Sequence, residues 1–360
     1  MSTDFDWADT LAALLDGGSL SAQQCRAAMA HIVAGEATSA QIAGFVVALR
    51  AKGETAPEVI GLVEAMLEVA VPLPYGGPAL DIVGTGGDKS HSVNISTLAA
   101  IVAAGAGAVV IKHGNRAASS RCGSADVLEQ LGVRIDLGPE GVLACVGRTG
   151  IGFCFAPVFH PAMRHAGPPR RELGIPTVFN ILGPLANPAQ PIASLIGAAD
   201  ERMAPLMAQV FAERDFRAMV VRGRDGLDEV TVGAETDVWD VTDEGVRLDR
   251  VDPVSAGLGR YDAGELAGGD AAANARVVRQ VLAGEVAGPL AAIRAAVVLN
   301  AALALVVWDA ATGEGRFGPV LDSAIERLAL AVPVAQESID AGRADRVLNG
   351  WIEVSTAHAS

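Results

Sequence analysis

The sequence is poor in cysteine, in aromatic residues and in basic charge. Its four cysteines form no C-x-x-C pair, which disfavours zinc sites and disulfide frameworks and favours reduced thiols in or near the core of a cytoplasmic protein. Aromatic residues make up 4% of the 360 residues, whereas hydrophobic residues make up 51%. We therefore expect a folded chain with tightly packed helices and many turns, rather than a disordered one.

The chain also lacks the charge and the apolar segments that some partners require. Its formal net charge is −15, which argues against binding to nucleic acid or to a membrane surface. The N-terminus has no signal-peptide run. The most apolar stretch, 295–307, is interrupted by Asn300 and is shorter than the ~20 residues of a membrane span. We expect a cytoplasmic protein with neither a membrane nor a nucleic-acid partner.

Periodicity divides the chain into two parts. The first ~70 residues contain only helical patterns, with capping boxes that begin at Ser21 and Thr55. Prolines and glycines at 71–78 break this periodicity and indicate a hinge. We predict a helical domain over 1–72 and an α/β domain over 79–360, with part of 157–192 crossing back to pack on the helical domain.

From residue 79 onwards, short apolar runs alternate with helical patterns. This alternation predicts an α/β fold with a central mostly parallel or mixed sheet covered by helices. The predicted strands are 80–83, 108–111, 152–156, 194–198, 217–221, 229–232 and 238–241. The last third is predicted to be helical again, over 271–283, 287–308, 317–331 and 334–349.

Two turns free of bulky side chains follow the first two strands. One reads Gly84-Thr-Gly-Gly-Asp88 and leads to Asn94-Ile-Ser-Thr97; the other reads Lys112-His-Gly-Asn-Arg116 and leads to Ser119-Ser120. Their backbone N–H groups, hydroxyls and lysine suit several phosphate oxygens. The glycine spacing fits neither a dinucleotide fingerprint nor a Walker loop. Because Lys112 directly follows a strand, we expect its amine at the carboxyl edge of the sheet, where ligands bind.

Charged side chains further along the chain add to this pattern. Asp228 and Glu229 are adjacent carboxylates that can point to different sides and hold two hard cations, although surface charge is the alternative. Arg170, beside Arg171, suits bidentate recognition of a carboxylate, although a structural salt bridge is an equal alternative. For His160 and Asn180, structural roles are favoured over substrate contact.

Taken in order, these motifs resemble those of the anthranilate phosphoribosyltransferases, over roughly residues 10–350. The resemblance implies a small helical domain joined to a large α/β domain in a homodimer. It implies anthranilate and 5-phosphoribosyl 1-diphosphate (PRPP) as substrates, with Mg²⁺, two ions per subunit, as cofactor. It is carried by Gly84–Asp88, Asn94–Thr97, Lys112–Ser120, Gly123–Asp126, Phe155–Pro157 with His160–Pro161, Phe179–Pro188 and Gly226–Glu229.

Residue by residue, the resemblance implies the following contacts. The PRPP contacts are Gly84, Gly87, Asp88, Ser92, Asn94, Ile95, Ser96, Thr97, Lys112, His113, Gly114, Asn115, Arg116, Ala117, Ala118, Ser119, Ser120 and Ser124. The anthranilate contacts are Gly84, Asn115 and Arg170. The metal ligands are Ser96, Asp228 and Glu229. The residues expected to carry catalysis are Lys112, Arg170, Asp228 and Glu229.

The sequence departs from the family pattern at two places. Lys89-Ser90-His91 replaces a smaller, glycine-richer spacer, and Pro176 stands where many members carry arginine. A pyrimidine nucleoside phosphorylase is the nearest alternative enzyme, but Arg170 favours an acidic acceptor. A catalytically silent relative that binds nucleic acid would be basic, whereas this chain is acidic and both motifs, Gly84–Asp88 and Asp228–Glu229, are intact.

Overall fold

The N-terminal region consists of helices, as the sequence predicts. In the computed structural model, which describes residues 5–117, 120–320 and 322–358, they are α1 (Trp7–Leu15), α2 (Ala22–Ala34), α3 (Ser39–Lys52) and α4 (Ala56–Glu68). The predicted capping box joins Ser21 to Gln24 at the start of α2. Helices α2 and α4 pack closely because Gly61 has no side chain; a Cβ there would lie 2.0 Å from the carbonyl oxygen of Ala22.

A seven-stranded mixed sheet forms the centre of the rest of the chain. Its strands are β1 (Leu80–Gly84), β2 (Val110–Gly114), β3 (Ile151–Phe155), β4 (Ala193–Gly197), β5 (Arg217–Gly223), β6 (Thr236–Thr242) and β7 (Gly245–Val251). The spatial order is β3-β2-β1-β4-β5-β6-β7. The first five strands in this order are parallel, and β6 and β7 join antiparallel at one edge. The predicted fold class is confirmed.

One predicted strand is wrong and one strand was not predicted. Residues 229–232 form no strand, because a side chain takes the place of a strand partner. Asn300 accepts a hydrogen bond from the backbone N–H of Val230 and donates one to its carbonyl oxygen, both at 2.9 Å. The edge strand β7 went unpredicted; its residues alternate between partly buried and exposed until Val251.

Helices flank the sheet and connect its strands. They are α5 (Ile95–Gly105), α6 (Ser124–Leu131), α7 (Pro139–Thr149), α8 (Ala156–Phe159), α9 (Gly167–Leu173), α10 (Phe179–Leu185), α11 (Met203–Glu213), α12 (Ala271–Leu282), α13 (Leu290–Thr312), α14 (Ala324–Asp340) and α15 (Arg343–Ala357), with 3₁₀ turns at Pro161–Ala166 and Ala263–Leu266. The predicted helices 317–331 and 334–349 have the wrong bounds. Helix α14 continues through Pro333, and the break falls at Gly342, whose φ of +65° suits glycine.

Helix α13 is long and apolar enough to cross a membrane by length and composition, but 89% of its most apolar window is buried inside the protein. That burial is typical of a core helix. It belongs to the core on one face of the sheet, which also contains residues of α5, α14 and α15. A second core joins α2, α3 and α4 to α10, α11 and the other face of β4 and β5. The N-terminal helices therefore share a core with part of the segment 157–192.

We predict that Gly61→Ala destabilises the protein by about 1–3 kcal/mol, because the added Cβ overpacks the contact between α2 and α4. The matched control is Gly147→Ala in α7, where a Cβ would meet no atom within 4 Å. That substitution should leave stability unchanged or raise it by about 0.5–1 kcal/mol, since alanine favours helix. Urea unfolding of both variants measures the difference, and equal effects would contradict this packing account.

Candidate active site

A cavity of about 370 Å³ opens at the carboxyl edge of the parallel strands. The strand order reverses between β1 and β4, which creates a crevice where ligands bind in open α/β sheets. Within the described residues, every predicted contact residue lines this cavity; Ala118 and Ser119 lie outside the described residues. The lining includes Gly84, Gly87, Asp88, Ser92, Asn94, Ile95, Ser96, Thr97, Lys112, His113, Gly114, Asn115, Arg116, Ala117, Ser120, Ser124, Arg170, Asp228 and Glu229.

Two glycines make room for the acidic pair. Gly84 and Gly197 are register partners at the ends of β1 and β4. A Cβ on Gly197 would lie 1.6 Å from the carbonyl oxygen of Asp228, and one on Gly84 would lie 2.6 Å from its Oδ2. The backbone of Asp228 therefore crosses the ends of both strands in direct contact with them.

The two carboxylates point to different elements, as their adjacency in the sequence suggested. Asp228 Oδ2 accepts a hydrogen bond from the Gly86 N–H at 2.6 Å, within the first turn. Glu229 Oε1 accepts one from the Ser96 N–H at 3.2 Å, at the start of α5. A helix N-terminus stabilises such a negative charge.

Lys112 lies between the two turns and is almost fully buried. Its side chain is 1% exposed, and Nζ donates to the carbonyl oxygen of Ile82 and to Ser96 Oγ at 3.3 Å. Burial lowers the pKa of Lys112, while the negative charges of Asp81 and Glu229 oppose that shift. The ammonium group is therefore held against the end of β1, beside α5.

Negative charge exceeds positive charge in this part of the cavity. Burial raises the pKa of Asp228 well above its usual range, and the nearby charges of Glu229 and Asp88 raise it further. Burial likewise raises the pKa of Glu229 to about 8, although Lys112 opposes the shift. Asp88 Oδ2 is buried without a hydrogen-bond partner. Asp228 and Glu229, with Asp88 near both, supply negative charge that a bound cation would neutralise.

The acidic residues supply only part of a coordination shell. Across 5–117, 120–320 and 322–358, no group of three or more histidine, cysteine, aspartate or glutamate residues is arranged to hold a metal ion. Hard cations take six or more oxygen ligands. A cation bound at Asp228 and Glu229 would therefore need oxygens from hydroxyls, water or a bound ligand as well.

The second turn is connected to the helices around it. Asn94 donates to the carbonyl oxygen of Cys122 at 3.1 Å and accepts from Asn274 of α12 at 2.9 Å. Arg116 lines the cavity, but its guanidinium pairs with Glu129 at 2.8 Å and with Asp126 at 3.0 Å. The positive charge of Arg116 is therefore paired with carboxylates of α6.

Arg170 stands at another wall of the cavity. Its guanidinium lies 5.5 Å from the centre of the Phe179 ring. The side chain is exposed to the cavity, and desolvation by the surrounding protein lowers its pKa. Among the described residues, no carboxylate forms an ion pair with it. Within the described residues, Arg170 therefore does not form the structural salt bridge that was the alternative prediction.

The two residues favoured for structural roles differ in position. His160 is buried outside the cavity, with Nε2 2.8 Å from the carbonyl oxygen of Ala186. Asn180 lines the cavity, although its Oδ1 accepts from the Thr177 N–H at 3.0 Å. The remaining lining residues that were not singled out as contacts lie within or next to the quoted motifs, or at the start of α8: Val83, Thr85, Gly86, Ser90, His91, Val93, Cys122, Gly123, Ala156, Phe179, Gly183 and Pro184.

Comparison with known proteins defines the class first. Residues 8–70 match the helical bundle domain of a glycosyl transferase family, and residues 76–345 match the a/b domain of a glycosyl transferase family. A glycosyl transferase of this class combines the two parts that the structure contains, the N-terminal helices and the sheet with its cavity.

Full-length relatives define the family within this class. An anthranilate phosphoribosyltransferase of Salinispora arenicola is 56% identical over 98% of this chain and 97% of its own length. The crystal structure of the Thermus thermophilus enzyme matches with a TM-score of 0.86 at 40% identity, covering 97% of this chain and 99% of that one. The Saccharomyces cerevisiae enzyme, in a complex with PRPP and Mg, matches with a TM-score of 0.86 at 28% identity over 98% of both chains. The chain belongs to the anthranilate phosphoribosyltransferase family.

We predict that His113 makes the protein less stable as the pH falls below about 6.5. Burial, followed by the neighbouring His160, lowers the pKa of His113 to about 3. An unfolded histidine binds a proton below its ordinary pKa of about 6.5, whereas folded His113 stays neutral until about pH 3. The unfolded state therefore gains protons first, and unfolding becomes easier by about 2 kcal/mol between pH 7 and pH 5.

Urea unfolding at several pH values, with the wild type beside His113→Asn, isolates this contribution. Asparagine retains a donor for the carbonyl oxygen of Gly183, which lies 3.0 Å from His113 Nδ1, but it does not titrate. The stability of the variant should fall less between pH 7 and pH 5. Parallel curves for the two proteins would contradict the assignment.

Proposed function

We propose that the protein transfers the 5-phosphoribosyl group of PRPP to the amine of anthranilate. The products are N-(5-phosphoribosyl)anthranilate and diphosphate, in the second step of tryptophan biosynthesis from chorismate. The observation that carries this proposal is the make-up of one cavity. It joins two phosphate-type turns and an acidic pair to an arginine that forms no ion pair among the described residues.

The donor end would be formed by the two turns and the start of α5. Backbone N–H groups of the glycine-rich turn and of the helix N-terminus suit phosphate oxygens. The buried ammonium of Lys112 adds a positive charge that little water screens. We assign PRPP to the contact residues named for it above, with Arg116 contributing backbone and shape rather than an unpaired charge.

The donor set of the acidic pair fits magnesium. Asp228, Glu229 and Ser96 offer hard oxygen ligands, and the surplus of buried negative charge around them calls for a cation. We propose that they hold Mg²⁺, with two ions per subunit. When bound, Mg²⁺ neutralises charge on a diphosphate group. The yeast relative whose structure contains PRPP and Mg supports this assignment.

Arg170 would bind the carboxylate of anthranilate through two parallel hydrogen bonds. Gly84 and Asn115 would lie near the acceptor as well. With the carboxylate held, the amine nitrogen faces C1 of the ribose. The N–C1 bond forms as the bond from C1 to the diphosphate oxygen breaks, and the nitrogen then loses one proton to the diphosphate or to water. An aryl amine attacks without prior deprotonation, so the residues act by positioning and electrostatics. A yeast relative in complex with 4-fluoroanthranilate supports this acceptor class.

We also propose a cytoplasmic homodimer, with a hinge between the helical domain at 1–72 and the α/β domain from 79. Leu15 and Val47 on the N-terminal helices are 77% and 38% exposed, which is compatible with an apolar contact between subunits. Light scattering coupled to gel filtration tests the dimer, and a mass equal to one chain would refute it.

The activity test follows the intrinsic fluorescence of anthranilate over time with purified protein, PRPP and Mg²⁺. Loss of signal that requires all three components is the expected result. A flat trace with folded protein would refute the proposed acceptor. Phosphorolysis of a pyrimidine nucleoside would then test the alternative enzyme. Its nucleoside substrate would offer Arg170 no carboxylate to bind.

We predict that Arg170→Ala raises the KM for anthranilate about 10–100-fold, equivalent to about 1.4–2.7 kcal/mol, because a charge-assisted pair is lost. The KM for PRPP should change little. Arg171→Ala is the matched control, since Arg171 follows on the same helix but does not line the cavity. An unchanged anthranilate KM in the Arg170 variant would remove that residue from the acceptor site.

The double substitution Asp228→Ala with Glu229→Ala should abolish Mg²⁺-dependent turnover, because the cation loses its protein carboxylates. The chain contains other adjacent Asp-Glu pairs, and one of them, Asp243 and Glu244, lies in the turn between β6 and β7. The same double substitution there, at exposed residues outside the cavity, should retain activity. Equal turnover by both double variants would contradict the metal assignment.

A further inference from the structure

A buried carboxylate lies behind the cavity and takes no part in the reaction described above. Asp81 is on β1, three residues before Gly84, and does not line the cavity. It is 1% exposed. Its carboxylate accepts hydrogen bonds from Asn187 Nδ2 at 2.8 Å and from the His113 backbone N–H at 3.3 Å. Burial raises the pKa of Asp81 to about 6, so keeping this charge at neutral pH costs folding free energy.

Asn187 uses its side chain fully in the same cluster. It follows α10 and is 4% exposed. Besides its bond to Asp81, Nδ2 donates to the carbonyl oxygen of Ile111 at 2.8 Å, and Oδ1 accepts from the Ala189 N–H at 2.9 Å. One amide therefore connects β1, β2 and the segment that follows α10.

Parts of the chain next to these segments form two walls of the cavity. Strands β1 and β2 lead into the two turns that we propose bind PRPP, here called the donor turns. Helix α10, which we call the acceptor wall (Phe179–Leu185), contributes Gly183 and Phe179 to the lining, and the Arg170 guanidinium lies over the Phe179 ring. A second link joins the same parts, because His113 Nδ1 lies 3.0 Å from the carbonyl oxygen of Gly183.

We propose that Asp81 and Asn187 form a positioning pair that fixes the acceptor wall relative to the donor turns. The inference rests on the proposed function, because it assigns the two walls to the two substrates. Neither residue touches a substrate. The pair matters because an amine must approach C1 along a defined line, and a displacement of about 1 Å costs about 100-fold in rate.

Asn187→Ser is the principal test. Serine retains an acceptor for the Ala189 N–H but no longer reaches both Asp81 and the carbonyl oxygen of Ile111. The charge of Asp81, which acts on Lys112, remains in place. We expect kcat/KM for anthranilate to fall about 10–100-fold, while the Kd for PRPP, measured calorimetrically with Mg²⁺, changes less than about twofold.

A swapped pair tests whether the hydrogen bonds carry the effect. In Asp81→Asn alone, one side-chain oxygen remains for two donors, the His113 N–H and Asn187 Nδ2. We therefore expect kcat/KM for anthranilate to fall at least as far as in Asn187→Ser. In Asp81→Asn with Asn187→Asp, the new amide accepts from the His113 N–H and donates to the new carboxylate. The carbonyl oxygen of Ile111 then loses its donor and faces a carboxylate oxygen, so the recovery is partial. We expect at least a fivefold recovery of kcat/KM over Asp81→Asn.

The control for a general loss of stability is Asp309→Asn. Asp309 is also a buried carboxylate that accepts two backbone N–H groups, those of Arg316 at 2.9 Å and Phe317 at 3.1 Å. It does not line the cavity, so this variant should lose thermal stability without losing acceptor kinetics. Hydrogen exchange gives a readout independent of activity: amides of the acceptor wall should exchange faster in Asn187→Ser than in Asp309→Asn.

The outcomes separate this inference from the proposed function. A wild type inactive with anthranilate refutes the proposed function, and hydrogen exchange still decides whether the pair holds the wall. An active wild type with unchanged anthranilate kinetics in Asn187→Ser overturns the positioning role. The positioning role is also overturned if Asn187→Ser loses as much PRPP affinity as kcat/KM for anthranilate. The same holds if kcat/KM of the swapped pair is no higher than that of Asp81→Asn. If Asp81→Asn does not fold, the comparison of Asn187→Ser with Asp309→Asn stands alone.

Discussion

The contact between Asp228 and the paired glycines at the ends of β1 and β4 governs how the donor end of the cavity is built. Gly84 and Gly197 leave no side chain where the backbone of Asp228 crosses the sheet edge. That approach brings Asp228 to the first turn and Glu229 to the start of α5. A methyl group on Gly197 would displace the backbone of Asp228, because close-packed backbone does not yield by the distance required. A methyl group on Gly84 would displace the Asp228 carboxylate.

The same contact concentrates charge that the protein alone does not balance. Asp228 and Glu229 lie close together at a place where burial raises the pKa values of both, and Lys112 opposes the shift of Glu229. Buried like charges are costly unless a counterion joins them. The Mg²⁺ that we propose at this place would neutralise part of that charge.

Two buried cores connect this chemistry to the rest of the fold. One core packs α5, α13, α14 and α15 on a face of the sheet and supports the donor turns. The other joins the N-terminal helices to α10 and α11 and so supports the acceptor wall. The helical region is thus attached to the acceptor side of the cavity, and the bonds of Asn187 cross from that side to β1 and β2. Relative movement of the two sides would change the distance between the two proposed substrate sites.

The sequence by itself determined the strand-turn-helix units, the phosphate-type turns and the family, because these depend on local periodicity and on motifs of adjacent residues. Glycine after a strand, or serine before a helix, has the same consequence in most folds. The resemblance, carried by these motifs, implied the residues that line the cavity. Glu229 lies in one of the motifs, whereas Arg170 lies outside them and was singled out by its residue type and by the resemblance.

Only the tertiary structure decided which distant groups meet. Residues 229–232 have strand-like composition, but Asn300, 70 residues from Val230, forms both backbone hydrogen bonds of Val230. The sequence placed Arg116 among the phosphate contacts, yet its guanidinium forms ion pairs with Glu129 and Asp126. The bond between Asp81 and Asn187 spans 106 residues. Such contacts depend on strand order and helix packing, and no local pattern encodes them.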